Sequence, residues 1–257
     1  MPALPASFLG APIAHRALHD RAAGRPENSA AAIRAAVDAG YGIEIDIQPS
    51  ADGVPMVFHD YGLERLTGRP GRIADLTAAD LAGTQLLGGT GGVPTLAEVL
   101  KIVDGRVPLL VEIKDQDGGM GPNVGPLERA VAAVLAGYGG PVAVMSFNPH
   151  SVAVMADAAP DIPRGLTTCG WEPEDAAEDG VRPDLADRLR AIPDYDRVGA
   201  CFISHHHLDL DRPRVAELKA QGAAVLCWTI RTSEEEARAR KTAQNVTFEG
   251  YAARRPA

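Results

Sequence analysis

Residues 42–59 have the sequence Gly-Ile-Glu-Ile-Asp-Ile-Gln-Pro-Ser-Ala-Asp-Gly-Val-Pro-Met-Val-Phe-His, in which an alternating run is followed by a turn signal and a second apolar run. Successive side chains of a strand point to opposite faces, so the three isoleucines share one face while Glu44 and Asp46 share the other. Two carboxylates that are buried together cannot both stay charged unless a cation or a basic side chain pairs with them. The alternative interpretation is a charged pair on a solvent-facing edge strand.

The second half of the stretch predicts a hairpin. Only residues 48–53 separate the two apolar runs, whereas a crossover between parallel strands needs about a dozen residues or more. Asp52-Gly53 is also a strong turn signal. We therefore expect antiparallel pairing between residues 42–47 and residues 54–59.

Outside this stretch, short apolar runs alternate with helical patterns, which is typical of a parallel sheet covered by helices. One predicted helix covers residues 28–39, and Thr95 with Glu98 predicts a capping box that opens another at residues 96–103. The chain has 257 residues, close to the length of about 250 that is typical of one (β/α)8 barrel. We therefore predict one α/β domain over residues 1–257. Its fold would be a TIM-type (β/α)8 barrel, irregular around strands 2 and 3, with a small insertion at about residues 61–94. The predicted strands are residues 12–15, 42–47, 54–59, 107–114, 142–147, 164–168, 199–204 and 223–230, with a weaker run at 245–248.

Composition and charge limit the classes of partner. The net charge is −9 and no Lys/Arg-rich stretch occurs, so we expect no nucleic-acid partner. No apolar run reaches the roughly 18 residues of a membrane span, and residues 1–10 lack the pattern of a secretory signal. Three cysteines, an odd number without a CxxC pair, indicate free thiols in a reducing compartment. We therefore expect a cytoplasmic protein.

Further polar residues occur at predicted strand ends and on strand faces. His15-Arg16 ends the first predicted strand, His59-Asp60 ends the third, and Glu112 and Lys114 share a face of the fourth. A TIM-type barrel places its catalytic groups at strand ends. Each residue alone has a structural explanation: a single histidine is more often structural, and Glu112 with Lys114 would form a satisfied ion pair.

Taken in their order along the chain, the motifs of this sequence resemble the motif series of the glycerophosphodiester phosphodiesterases. The resemblance covers most of residues 11–150 and continues more weakly in Ser146-Phe147-Asn148-Pro149 and Cys227-Trp228-Thr229-Ile230. Its main motifs are Ala14-His15-Arg16, Pro26-Glu27-Asn28-Ser29, residues 42–48, residues 52–60, Pro94-Thr95-Leu96-Ala97-Glu98-Val99-Leu100 and Val111-Glu112-Ile113-Lys114.

The resemblance implies a role for each candidate residue. His15 and His59 would be the acid/base pair, and the reaction would pass through a cyclic phosphate. Arg16 and Lys114 would hold the phosphate of a small phosphodiester, and Trp228 would line the pocket. Glu44, Asp46 and Glu112 would bind one divalent cation. Carboxylate oxygens independently favour Mg²⁺ or Ca²⁺ over zinc, and histidine can transfer a proton near neutral pH.

The sequence also departs from the family pattern. Ala17 stands where the family usually has glycine, and Val246-Thr247-Phe248-Glu249-Gly250 replaces the usual closing Thr-Asp-Arg-Pro. These departures bear on substrate preference more than on catalysis. A lysophospholipase D-like specificity, a barrel glycosidase and a non-catalytic binding protein stay open as less favoured alternatives. We expect no zinc site at residues 205–207, and structural roles for His19 and His150. The loop at residues 115–125 is a lid or an ordinary loop.

Overall fold

A computed structural model describes residues 2–178 and 180–255. Its nine strands form one sheet in the order β1-β9-β8-β7-β6-β5-β4-β2-β3, and β1 also pairs with β2. Eight of the strands therefore close into a parallel barrel, which confirms the predicted TIM-type fold. The strands are β1 Ile13–Ala14, β2 Gly42–Pro49, β3 Pro55–Val57, β4 Leu109–Ile113, β5 Val142–Ser146, β6 Arg164–Thr168, β7 Phe202–His206, β8 Ala224–Ile230 and β9 Asn245–Phe248.

The irregularity at strands 2 and 3 is a hairpin, as predicted. β3 runs antiparallel to β2, with Ile47 opposite Val57, and is not one of the barrel strands. Gly53 has a φ of +78°, which suits glycine in this tight turn. The weaker predicted run, β9, is instead the eighth barrel strand and closes the sheet against β1.

Helices cover the outside of the barrel. Ile43, Ile45 and Ile47 are fully buried in the main apolar core, so the apolar face of β2 meets the helices as its alternation predicts. Thr95 caps its helix through the predicted capping box with Glu98. The helices are α1 Ala30–Ala39, α2 Glu64–Thr67, α3 Ala78–Ala82, α4 Leu96–Val103, α5 Pro126–Leu135, α6 Pro149–Ala158, α7 Pro173–Glu178, α8 Pro183–Arg190, α9 Pro213–Ala220 and α10 Ser233–Ala239. None in the described part of the chain is long and apolar enough to cross a membrane.

The segment between β3 and α4 contains α2 and α3 and has a small apolar core of its own. Phe58, Leu63, Ile73 and Leu81 are buried in that core. At the amino-terminal end of the barrel, Phe8 is buried among residues from the barrel interior. Asn245 of β9 donates hydrogen bonds to the carbonyls of Phe8 and Ala11. The amino-terminal end of the barrel is thus closed by Phe8 and its neighbours. The polar side chains predicted at the strand ends lie at the opposite, carboxyl end.

Two predicted boundaries are wrong for local reasons. The first helix was expected from Asn28, but α1 begins at Ala30 because the Ser29 side chain accepts a hydrogen bond from the Ala32 amide and caps it. The strand expected over residues 199–204 is Phe202–His206. Gly199 has a φ of +61°, a conformation typical of a turn. The strand therefore begins after this turn, at Phe202 rather than at Gly199.

Candidate active site

Three buried acids converge at the carboxyl end of β2 and β4. Glu44 and Asp46 lie two residues apart on β2, and the parallel register sets Asp46 beside Glu112 of β4. One carboxylate oxygen from each residue lies within 4.8 Å of the others. In the described part of the chain these three form the one group of acids, histidines and cysteines close enough to share a metal ion. The strand register therefore gathers the three acids predicted from the sequence.

Lys114 lies between two of these acids. Its Nζ is 2.8 Å from Asp46 Oδ1 and also pairs with Glu112 Oε1. Burial raises the pKa of Asp46, but Lys114, His59 and Arg16 outweigh burial and hold that pKa far below its usual value. The second oxygen of Asp46 accepts a hydrogen bond of 2.9 Å from Asn28 Nδ2. Asp46 is therefore an ionised, fully bonded carboxylate.

Glu44 differs from Asp46 because no basic side chain of the described residues forms an ion pair with it. Burial and the charges of Asp46 and Glu112 raise its pKa well above the usual value, although the Arg16 amide donates to Oε2 at 2.8 Å. A divalent cation bound by the three oxygens would remove this repulsion and ionise Glu44. The donor set, three carboxylates, fits a hard cation such as Mg²⁺ or Ca²⁺.

The turn after β1 brings His15 and Arg16 to this cluster. Arg16 and Ala17 both have left-handed backbones, with φ of 51° and 65°. This conformation, which glycine adopts more readily than alanine, aims the Arg16 amide at Glu44. His15 Nδ1 lies 2.7 Å from Glu249 Oε2, immediately after β9. Burial lowers the pKa of His15, although Glu249 opposes that shift.

His59 lies beyond β3, at the start of a chain of ion pairs. Its Nδ1 is 2.7 Å from Asp60 Oδ1. Arg65 of α2 donates to both oxygens of Asp60 and to both oxygens of Glu27. Glu27 in turn accepts from Arg16 Nη1 at 2.9 Å. A continuous network thus links His59 to Arg16.

The predicted site residues line one cavity of about 170 Å³. Trp228 forms one wall, with Phe147 packed edge-on against its ring at 5.5 Å between centroids. The indole Nε1 donates to the Ser204 carbonyl, which fixes the ring. The residues around the cavity are His15, Arg16, Glu44, Asp46, His59, Glu112, Lys114, Met145, Phe147, Trp228, Thr229, Arg231 and Thr247.

Hydrogen bonds hold loop 115–125 in place beside the cavity. Asp115 Oδ2 accepts hydrogen bonds from the amides of residues 118, 119 and 120. Asp115 Oδ1 accepts from the Asn148 side chain, and the Asp115 carbonyl accepts from the Tyr61 hydroxyl. These bonds hold the loop in a defined turn next to the cavity.

The three consecutive histidines do not form a joint site. β7 ends at His206 and a 3-10 turn begins at His207, so His205 and His207 do not share a strand face. His205 is buried and bonded to Thr168 Oγ1. His19, for which the sequence predicts a structural role, has its Nε2 3.4 Å from Glu249 Oε2. None of the three cysteines forms a disulfide in the described part of the chain, and Cys227 is buried.

Sequence reasoning missed four residues that hold the site together. Asn28, with a φ of 57°, bonds Asp46 from a turn rather than from the predicted helix. Glu27 was quoted only as part of a motif, and Arg65 had no visible partner in the sequence. Glu249 was visible only as a departure from the usual closing motif.

The fold and this cavity together define a TIM-barrel enzyme, because such barrels carry their active sites at the carboxyl ends of the strands. The model of the glycerophosphoryl diester phosphodiesterase family matches residues 15–246. The chain therefore belongs to that family, and it is a phosphoric diester hydrolase.

Individual relatives agree with the family match. Human glycerophosphodiester phosphodiesterase 1 is 28% identical over 248 residues, which cover 87% of this chain and 72% of the human protein. A phosphodiesterase from Oleispira antarctica, solved with the product sn-glycerol-3-phosphate, superposes with a TM-score of 0.75 at 25% identity, covering 95% and 94% of the two chains. The Thermotoga maritima enzyme shares the fold, with a TM-score of 0.70 at 19% identity and coverage of 93% and 94%.

Proposed function

We propose that the protein hydrolyses glycerophosphodiesters to glycerol 3-phosphate and an alcohol. One observation carries the proposal: three buried carboxylates within 4.8 Å of one another share a cavity with two histidines, an arginine and a lysine. The family membership supports the reaction class, and the product bound to the Oleispira relative supports glycerol 3-phosphate as the released half.

His15 and His59 are the proposed acid/base pair. Each has its Nδ1 bonded to a carboxylate, Glu249 for His15 and Asp60 for His59. The second ring nitrogen of each is therefore left for proton transfer. One histidine takes a proton from the neighbouring glycerol hydroxyl or from water, while the other protonates the departing alcohol.

Arg16 and Lys114 are the proposed phosphate-binding residues, since both are cations on the cavity wall. Trp228 would face the substrate as an apolar wall. Glu44, Asp46 and Glu112 are the proposed ligands of one Mg²⁺ or Ca²⁺ ion. When bound, that ion would neutralise and polarise the phosphate.

The proposal also covers the domain organisation of the chain and its location in the cell. We regard residues 1–257 as one phosphodiesterase domain with a small insertion at about residues 61–94. A cytoplasmic location is part of the proposal, and the odd number of cysteines, none of them in a disulfide in the described residues, supports it. Membership of a phosphodiesterase family argues against the glycosidase and the non-catalytic alternatives. A lysophospholipase D-like preference would require the cavity to admit an acyl chain.

A substrate panel tests the proposal. Glycerophosphocholine, glycerophosphoethanolamine and lysophosphatidylcholine would each be assayed with EDTA and after Mg²⁺ or Ca²⁺ is added back. We expect release of glycerol 3-phosphate from the first two, loss of activity in EDTA and recovery with metal. His15→Ala and His59→Ala should each lower kcat by about 10²- to 10⁴-fold while the circular dichroism spectrum stays unchanged. Full activity in EDTA, or in either variant, would refute the proposed mechanism.

A further inference from the structure

Glu249 and His15 meet at the seam where the barrel closes. The parallel register of β1 and β9 sets Ala14 beside Phe248, and the His15 amide donates to the Phe248 carbonyl at 2.9 Å. The next residue of each strand therefore emerges at the same level of the barrel. Backbone pairing, and not a flexible loop, fixes the separation of these two side chains.

The Glu249 carboxylate is fully engaged by cationic and histidine groups. Oε2 lies 2.7 Å from His15 Nδ1 and 3.4 Å from His19 Nε2, while Oε1 pairs with Arg231 at 2.8 Å. Hydrogen bonds from the two histidines lower the pKa of Glu249 well below its usual value. An ionised carboxylate only accepts hydrogen bonds, so it selects the tautomer of His15 with the proton on Nδ1.

We propose that Glu249 is a positioning residue for His15: it fixes the ring and its Nδ1–H tautomer, so that an unprotonated Nε2 is left for the substrate. The proposal rests on the proposed acid/base role of His15. It does not follow from the family motif, because Glu249 lies in the stretch where this sequence departs from the usual closing Thr-Asp-Arg-Pro.

The surroundings of His15 give the carboxylate a second effect. Burial disfavours the imidazolium, and the Arg16 charge acts in the same direction. Glu249 and Asp46 favour the imidazolium. Removing the Glu249 charge should therefore lower the pKa of His15 further and move the pH limb that His15 controls to lower pH.

Two substitutions separate the charge from the hydrogen bond. Glu249→Gln keeps the size and an oxygen acceptor but loses the charge, and Glu249→Ala loses both. We expect kcat to fall about 10- to 100-fold in each with KM nearly unchanged, and the His15 limb of the kcat/KM profile to move to lower pH. Glu236→Gln is the matched control, because Glu236 is another largely buried glutamate, bonded to Tyr251 and Arg240 away from the cavity.

A ¹⁵N NMR measurement of the histidine rings tests the tautomer without any substrate. We expect the neutral Nδ1–H form of His15 in the unmodified protein and a mixture of tautomers in Glu249→Ala. An unchanged tautomer in Glu249→Ala, or in Glu249→Gln a kcat and pH profile like those of the control, would overturn the proposal. Should Glu249→Ala fail to fold, Glu249→Gln decides. If the unmodified protein hydrolyses no diester, the proposed function fails, while the NMR result still decides the role of Glu249.

Discussion

The ammonium group of Lys114 lies between Asp46 and Glu112, close to where a divalent cation would bind. Burial opposes its charge, but the two carboxylates hold the pKa of Lys114 above the usual value, so it stays positive. At this site a lysine can serve as a phosphate ligand or as a structural counter-ion. The two roles predict different binding behaviour.

Lys114→Met should weaken binding of glycerol 3-phosphate by about 10- to 100-fold, because a charge-assisted hydrogen bond is lost. Metal affinity should stay equal or rise slightly, since a competing positive charge has gone. Glu112→Gln should do the reverse and weaken metal binding first. Isothermal titration of both variants, with metal and then with glycerol 3-phosphate, measures the difference. Loss of metal binding in Lys114→Met would mark Lys114 as a structural partner of Glu112.

At the residue scale, the sequence predicts side chains that lie on regular strands. Alternation sets Glu44 and Asp46 on one face, and the same rule pairs Glu112 with Lys114. It could not predict Asn28, whose contact with Asp46 depends on a left-handed turn before α1. Nor could it pair His15 with Glu249, because the register of the first and last strands is set only when the barrel closes.

At the scale of elements, helix α2 contributes to the site through one side chain. Arg65 bonds both oxygens of Asp60 and both of Glu27, and so connects the His59 dyad to Arg16. The segment that follows the hairpin is therefore part of the active-site support as well as an addition to the barrel.

Arg65→Gln should lower kcat by about 10- to 100-fold, because His59 and Arg16 lose their shared restraint and small displacements of catalytic groups are costly. Folding should be preserved, since Arg65 is about half exposed, with a side-chain exposure of 47%. Arg69→Gln is the control: its guanidinium bonds Thr84 within the same segment and does not contact the network. Steady-state kinetics of the two variants tests this prediction. Equal kcat values would show that the ion pairs of Arg65 do not support the active site.

The elements themselves were predictable where short-range rules apply. The Asp52-Gly53 turn and the short connection predicted the hairpin, and Thr95 with Glu98 predicted the start of α4. The assignment of strands to the barrel was less predictable. Residues 54–59 form a stronger apolar run than residues 245–248, yet the latter pair with both β8 and β1. Because β1 and β9 lie at opposite ends of the sequence, no local sequence pattern indicates that they pair.

At the scale of the whole molecule, one buried histidine makes stability depend on pH. His205 is almost fully buried on β7 and bonded to Thr168 on β6. Burial lowers its pKa from 6.5 to about 4. The unfolded chain therefore binds a proton at higher pH than the folded protein does. Stability should be complete above pH 6.5 and should fall as the pH drops toward about 4.

The loss should be on the order of 3 kcal/mol across that range. Urea unfolding of the protein at several pH values measures it. Carboxylates also titrate near the acid end of the range, so the comparison is with His205→Gln, which cannot titrate. The variant should lose less stability between pH 6.5 and 4. If the free energy of unfolding falls equally with pH in the two proteins, protonation of His205 does not lower stability.

The closing seam also makes the proposed activity depend on the synthesis of β9. A ribosome makes His15 long before Glu249, which lies 234 positions later in the sequence. Until β9 has been made, β1 has no neighbour on one side and His15 has no carboxylate partner. A nascent chain that stops earlier holds most of the cavity residues but lacks the last strand and the orienting acid. We therefore expect the proposed phosphodiesterase activity to appear only after the final barrel strand has been made and has paired with β1.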